Sequence, residues 1–172
     1  LWPGLNVPVY ASPFTAGLLE AKREYDSWMR EIPVTIFKGG DTINVGPFTI
    51  EGVPVNHSIP EPMALAIRTP LGNIVHTGDW KIDHAPTLGP KTDEARFRAI
   101  GDEGVLALVC DSTNVFNPEP SGSEGDAYRG LMEEVAKHKG RRVVVTTFAS
   151  NVARLQTLGE VANATRRKLC VA

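Results

Sequence analysis

Cysteine is scarce in this chain. Two of 172 residues are Cys, Cys110 and Cys170, and each lies in an apolar run. A small disulfide scaffold is therefore excluded, and the expectation is two reduced thiols in the core of a protein from a reducing compartment. Aromatic residues are also few, at 7%. No stretch approaches the run of about 18 apolar residues that a membrane-spanning helix needs. No charge sign dominates: 18 Lys and Arg stand against 20 Asp and Glu, a net of −2. A basic coat for nucleic acid is thereby excluded, so any such binding has to be local. No signal peptide is apparent, which with the thiols points to the cytoplasm. What is present is the composition of an ordinary globular domain, 42% hydrophobic and 22% charged.

Punctuation by Pro and Gly divides the chain. Val7 to Ala11 reads as a strand. Ser12 then caps a helix from Phe14 to about Met29, with Pro13 in the first turn, where a missing N–H costs nothing. Pro33–Lys38, Thr42–Val45, Phe48–Val55, Met63–Arg68 and Ile74–Thr77 read as short strands separated by turns. Residues 83–91 read as a loop, and Thr92 as the cap of a short helix through Arg98. Val105–Cys110 is continuously apolar, the pattern of a strand buried on both faces. After a Pro, Gly and Ser-rich stretch, the order becomes helix (from a capping box at 121–124 to His138), buried strand (142–148), helix (151–166) and strand (168 onward). The expected class is α/β, with a boundary at 115–121.

Three candidate residues follow strands. His57 follows 48–55, Asp79 follows 74–77 and Asp111 follows 105–110. Imidazole and carboxylate at strand ends suit a zinc or manganese ion, although a structural His and a turn Asp fit the same positions. His76 reads as packing, His84 and His138 as exposed, and Trp80 as a core or rim anchor. The cations Lys137, Lys139, Arg141 and Arg142, with Arg166, Arg167 and Lys168, form two clusters. Cations suit helix C-termini; an RNA-guiding patch is the alternative. Ser112 and Ser150 have no neighbouring His to act as a base, and no phosphate-loop or dinucleotide fingerprint occurs.

Four words occur in order: Val55-Asn56-His57-Ser58-Ile59-Pro60-Glu61-Pro62, His76-Thr77-Gly78-Asp79-Trp80-Lys81-Ile82-Asp83, Cys110-Asp111-Ser112-Thr113-Asn114, and Thr147-Phe148-Ala149-Ser150-Asn151-Val152-Ala153-Arg154. Together they resemble the ribonuclease J family, of the β-CASP branch of the metallo-β-lactamase superfamily. The resemblance implies a partial metallo-β-lactamase α/β-β/α sandwich over 1–118, running into the start of an α/β β-CASP domain over 119–172. It implies that His57 is a metal ligand, that Asp79 bridges two metals, and that Asp111 is an acidic residue supporting the catalytic centre. Gly122-Ser123-Glu124 matches the entry into the β-CASP domain, and Ser150 and Asn151 match a loop near the RNA path. The implied activity is 5′-to-3′ exonuclease and endonuclease cleavage of RNA with two divalent metals, zinc, or manganese or magnesium.

The sequence departs from the family in two ways. The His-x-His-x-Asp-His cluster is absent, and Ala153 stands where many relatives carry His. The chain opens on Leu1, and Lys168–Ala172 begins a strand pattern at its end. The expectation is therefore an internal slice of a longer protein, inactive by itself, binding metal weakly or not at all, and prone to self-association as a homodimer. Two other readings stand beside it. One is a metallo-β-lactamase-like hydrolase of a small metabolite, which has no need of the segment after 121. The other is a non-catalytic fragment.

Overall fold

The computed structural model describes residues 7–26 and 33–171. The chain divides into two compact units. The first comprises Leu1–Val55, Glu61–Trp80 and Asp93–Asp111; the second comprises Asn56–Pro60, Lys81–Thr92 and Ser112–Ala172.

In the first unit, β1 (Val9–Ala11) leads into α1 (Pro13–Tyr25) and then β2 (Val34–Ile36). β1 and β2 pair in parallel, with Val9 opposite Val34. Ser12 caps α1 by accepting from the Thr15 amide at 3.3 Å, as its sequence predicts. The expected continuation of that helix to Met29 falls outside the described residues. A five-stranded sheet follows: β3 (Thr42–Val45), β4 (Phe48–Pro54), β5 (Met63–Thr69), β6 (Gly72–His76) and β7 (Ala107–Val109), side by side in that order. β3 to β6 form an antiparallel meander, and β7 joins β6 in parallel. The sheet is therefore mixed.

The core lies on one face. Val53, Ala64, Ala66 and Val75 alternate along three neighbouring strands, and with Val55 they pack against Ile100 of α2 (Glu94–Asp102). Phe97, one turn before Ile100, and Trp80 complete this cluster, their rings 5.7 Å apart. Trp80 is thus the packing anchor expected of it. The cap of α2 is Asp93 rather than Thr92: its side chain accepts from Arg96 N at 2.9 Å. Thr92 is buried and already bonded, its hydroxyl accepting from Asn56 N and donating to the Lys81 carbonyl.

Three apolar runs depart from expectation. Only Ala107–Val109 of the 105–110 run is strand, and it is exposed: Leu106 is 66% and Leu108 61% accessible. β7 is the edge of its sheet, bonded to β6 alone, and among the described residues of its unit nothing covers its faces. Residues 142–148 and 168–171 form no strand, and Val144 and Phe148 are more than 80% exposed. Apolar composition makes a segment fit for a sheet, but a strand exists only where a neighbour takes up its backbone groups. Cys110 and Cys170 are accordingly exposed free thiols, not core residues.

The second unit is built on α3 (Glu124–Lys137) and α4 (Val152–Ala164), which pack together. The capping box of α3 lies two residues beyond the predicted one. Ser123 accepts from Asp126 N at 3.0 Å, and the Asp126 carboxylate accepts from Ser123 N at 3.1 Å.

Candidate active site

Asp79 and Asp111 leave the same edge of the sheet. β6 and β7 are parallel, with His76 opposite Val109, so the two carboxyl ends lie side by side. Asp79 follows three residues after His76 and Asp111 two after Val109. Thr77, only 2% exposed, straps the two turns together. Its amide donates to Val109 O (2.9 Å), and its hydroxyl accepts from Asp111 N (3.0 Å) and donates to Gly78 O (2.8 Å). Gly78 turns the chain with φ +59°, a conformation L side chains rarely adopt. The Gly78 amide donates to His76 Nδ1 at 3.0 Å. His76 is therefore the exposed last residue of β6 and not the packing residue expected. Asp79 is exposed; Asp111 is half-buried and engaged. Acidic groups beyond the carboxyl ends of parallel strands stand where open α/β sheets place ligands.

His57 belongs to the second unit, where its segment is clasped from several sides. Asn56 is 2% exposed, and its Nδ2 donates to the Leu88 and Pro90 carbonyls at 3.1 and 3.0 Å. The Asn56 amide donates to Thr92 Oγ1 (2.9 Å), and its carbonyl accepts from Lys81 N (2.9 Å). On the other side of His57, the Ser58 carbonyl accepts from Ala153 N in the first turn of α4 at 3.0 Å. The imidazole is half-buried. Its Nδ1 shares a 3.1 Å hydrogen bond with the Ser58 hydroxyl, which orients the ring. Ala153 is 1% exposed.

Ser150 and Asn151 differ from each other. Ser150 is exposed. Asn151 is the N-cap of α4, its Oδ1 accepting from Arg154 N at 2.9 Å, so its side chain is spent on the helix. Arg154, in turn, makes a two-pronged contact with Glu124, at 3.1 and 3.2 Å to Oε2. Glu124, 9% exposed at the start of α3, also meets Lys81 Nζ at 3.5 Å. Lys81 bridges to Asp83 at 3.1 Å. Burial pushes the Asp83 carboxyl up, but the Glu124 and Ala85 amides and the Lys81 ammonium together hold it below its ordinary value. Two buried carboxylates and two cations thus tie α3, α4 and the 81–92 segment together. Sequence reading passed over Asn56, Thr77, Asp83, Glu124 as an ion-pair partner, and Arg154. Asn56, Thr77, Asp83 and Arg154 lie inside the four words and Glu124 inside Gly122-Ser123-Glu124, so position within a motif was the one signal the sequence carried for them.

Closed metal sites take four protein ligands and catalytic ones at least three. Among the described residues no three His, Cys, Asp or Glu side chains are grouped to hold an ion. His57 and Asp79 are suitable metal donors by chemistry.

No family model matches the chain. Its α/β architecture recurs in a crystal structure of a protein of unknown function from Enterococcus faecalis V583, with a TM-score of 0.65 over 91% of this chain and 39% of that one, at 20% identity. At that identity the likeness concerns the fold alone. The sequence relatives are more specific. Ribonuclease J of Sinorhizobium meliloti is 63% identical over 98% of this chain and 30% of its own length. Ribonuclease J of Corynebacterium glutamicum is 42% identical over 95% of the chain and 22% of its own length, and that of Thermus thermophilus 37% over 96% and 29%. Along nearly all of its length, then, the chain is homologous to ribonuclease J. It spans less than a third of the relatives it matches.

Proposed function

We propose that this chain is the middle segment of an RNA-processing metallo-hydrolase of the ribonuclease J kind, acting as a 5′-to-3′ exonuclease and endonuclease in the cytoplasm. The observation that carries this reading is the 63% identity to the Sinorhizobium meliloti ribonuclease J over 98% of the chain. Residues 1–118 belong to a metallo-β-lactamase-type domain and 119–172 to the beginning of a β-CASP domain. Two divalent metals, zinc, or manganese or magnesium, are held in the longer protein by His57, by Asp79 and by ligands this chain does not contain. Within the chain, the Thr77 strap holds the backbone of the Asp79 and Asp111 turns in one arrangement. The Asn56 clasp and the Ser58 hydroxyl fix the direction of the His57 ring. Such pre-organisation of ligand side chains is what metal hydrolysis asks of its scaffold. No helix among the described residues is long and apolar enough to cross a membrane.

A graft tests the reading. This chain replaces the matching segment of the S. meliloti ribonuclease J, and cleavage of 5′-monophosphorylated RNA is measured. The graft is expected to cleave, its Asp79→Ala and His57→Ala variants to lose at least about 100-fold, and the isolated 172-residue chain to show no turnover. Metal analysis of the isolated chain after dialysis from zinc or manganese is expected to give well under one ion per chain. Strong cleavage by the isolated chain that survives Asp79→Ala refutes the assignment.

A further inference from the structure

Two basic clusters far apart in sequence meet at one end of α3. The side chain of Arg167 brings them together: its guanidinium donates to the carbonyls of Arg141 (2.8 Å), Val135 (3.3 Å) and His138. The Val135 and His138 carbonyls lie at the C-terminal end of α3, where backbone acceptors outnumber helical donors, and each also accepts one backbone N–H, from His138 and Arg141; the Arg141 carbonyl lies in the turn just beyond. Arg167 therefore performs the structural task that a cation at a helix C-terminus offers. The task is then filled, and the neighbouring cations are left over. Lys139, Arg141, Arg142, Arg166 and Lys168 are all exposed, and among the described residues none has a carboxylate partner. Lys137 alone of the cluster is paired, with Glu134 at 2.8 Å. Elsewhere among the described residues Arg68, Lys81, Arg96, Arg98, Arg129 and Arg154 have carboxylate partners, while the unpaired Lys22, Lys38 and Lys91 are scattered along the chain rather than clustered.

The charge is concentrated as well as unpaired. Residues 133–142 and 165–168 carry seven Lys or Arg and two Glu, a net of +5. The rest of the chain carries −7, for the total of −2. Like charges crowded without counter-charges cost free energy through mutual repulsion, and a polyanion removes that cost. Long flexible cations around a backbone turn, with no aromatic side chain among them, suit phosphates rather than bases.

We propose that Lys139, Arg141, Arg142, Arg166 and Lys168 form an accessory surface that binds the phosphate backbone of single-stranded RNA without regard to sequence. The choice of RNA as the polyanion rests on the ribonuclease reading above; the surface itself rests on the convergence of the two clusters. It lies apart from His57, Asp79 and Asp111 in sequence and shares no residue with them.

The test measures binding and not cleavage, so the two readings fail separately. A fluorescent oligouridylate of about 20 nucleotides is titrated with the 172-residue chain in EDTA, between about 50 and 200 mM salt. Five phosphate contacts predict a loss of affinity of roughly 100-fold across that range, and a Lys139→Ala/Arg142→Ala/Lys168→Ala variant, with two left, a loss of only about 7-fold. The variant also binds more weakly at the lower salt. A Lys22→Ala/Lys38→Ala/Lys91→Ala control removes the same charge from other exposed, unpaired sites and keeps the wild-type slope. Arg167 is left alone because its side chain bonds the carbonyls of the turn. The proposal is overturned if the wild-type chain does not bind at low salt, or if the triple variant matches wild type in affinity and slope while circular dichroism shows both folded. Either result leaves the cleavage assay of the graft, and with it the ribonuclease reading, untouched.

Discussion

Acid should unfasten α2 from the sheet, and Glu51 is the group through which it acts. Glu51 sits on β4, on the face that α2 covers. Arg96 of α2 reaches it with Nε at 2.5 Å and Nη2 at 2.8 Å, and Arg68 of β5 with Nη1 at 2.9 Å. Glu103, at the C-terminal end of α2, closes the ring with Arg68 at 2.7 Å and Arg96 at 3.1 Å. The hydrogen bonds from Arg96, against an opposing cost of burial and with help from Arg68, lower the Glu51 carboxyl from 4.5 to about 2. At 1.36 kcal/mol per unit, that depression corresponds to about 3 kcal/mol. Arg96 and Glu103 are a third exposed, so solvent screening reduces the net figure to about 1–2 kcal/mol. A carboxyl that is more acidic when folded stabilises above its unfolded pKa, and the contribution drains away as pH falls through the folded one. The window therefore runs from about pH 4.5 down to about 2. Glu51→Gln keeps the shape and removes the charge. In urea unfolding followed by circular dichroism, wild type should exceed the variant by about 1–2 kcal/mol near pH 6, and the gap should narrow toward zero near pH 2. A gap that stays constant from pH 6 to pH 2, or no gap at pH 6, would refute the ring as a source of stability.

Two further substitutions probe the candidate site. Thr77→Val keeps volume but leaves the Asp111 amide without its acceptor, so a loss of about 1–3 kcal/mol in urea unfolding is expected, with a lower cleavage rate in the S. meliloti graft; unchanged stability would show that the strap carries no weight. Arg154→Met leaves the buried Glu124 carboxylate with Lys81, at 3.5 Å, as its remaining cation, for a cost of about 2–4 kcal/mol. Pairing it with Glu124→Met should restore part of that loss, and a double variant worse than the single one would contradict the pairing.

The sequence was most readable where a segment's partner lies close by in the chain. β3 to β6 form a meander in which each strand bonds to the next, so turn residues and alternation were enough to find them. The carboxyl-end positions of Asp79 and Asp111 followed, because parallel pairing of β6 and β7 needs only two strands and α2 between them. The runs at 142–148 and 168–171 read equally well as strands and are not strands here. Their residues are right, but no described segment supplies the second row of N–H and C=O groups. The same reasoning separates the site residues. His57 and Asp79 stand out in the sequence because few residue types can ligate a metal. Asn56, Thr77 and Arg154 do not, because hydroxyls, amides and guanidinium groups serve structure everywhere, and only the bonded partner tells which task is theirs. Arg167 shows the point from the other side: composition placed it in a basic cluster with two competing meanings. Its bonds to the carbonyls of Val135, His138 and Arg141, at and just beyond the end of α3, give Arg167 the structural meaning.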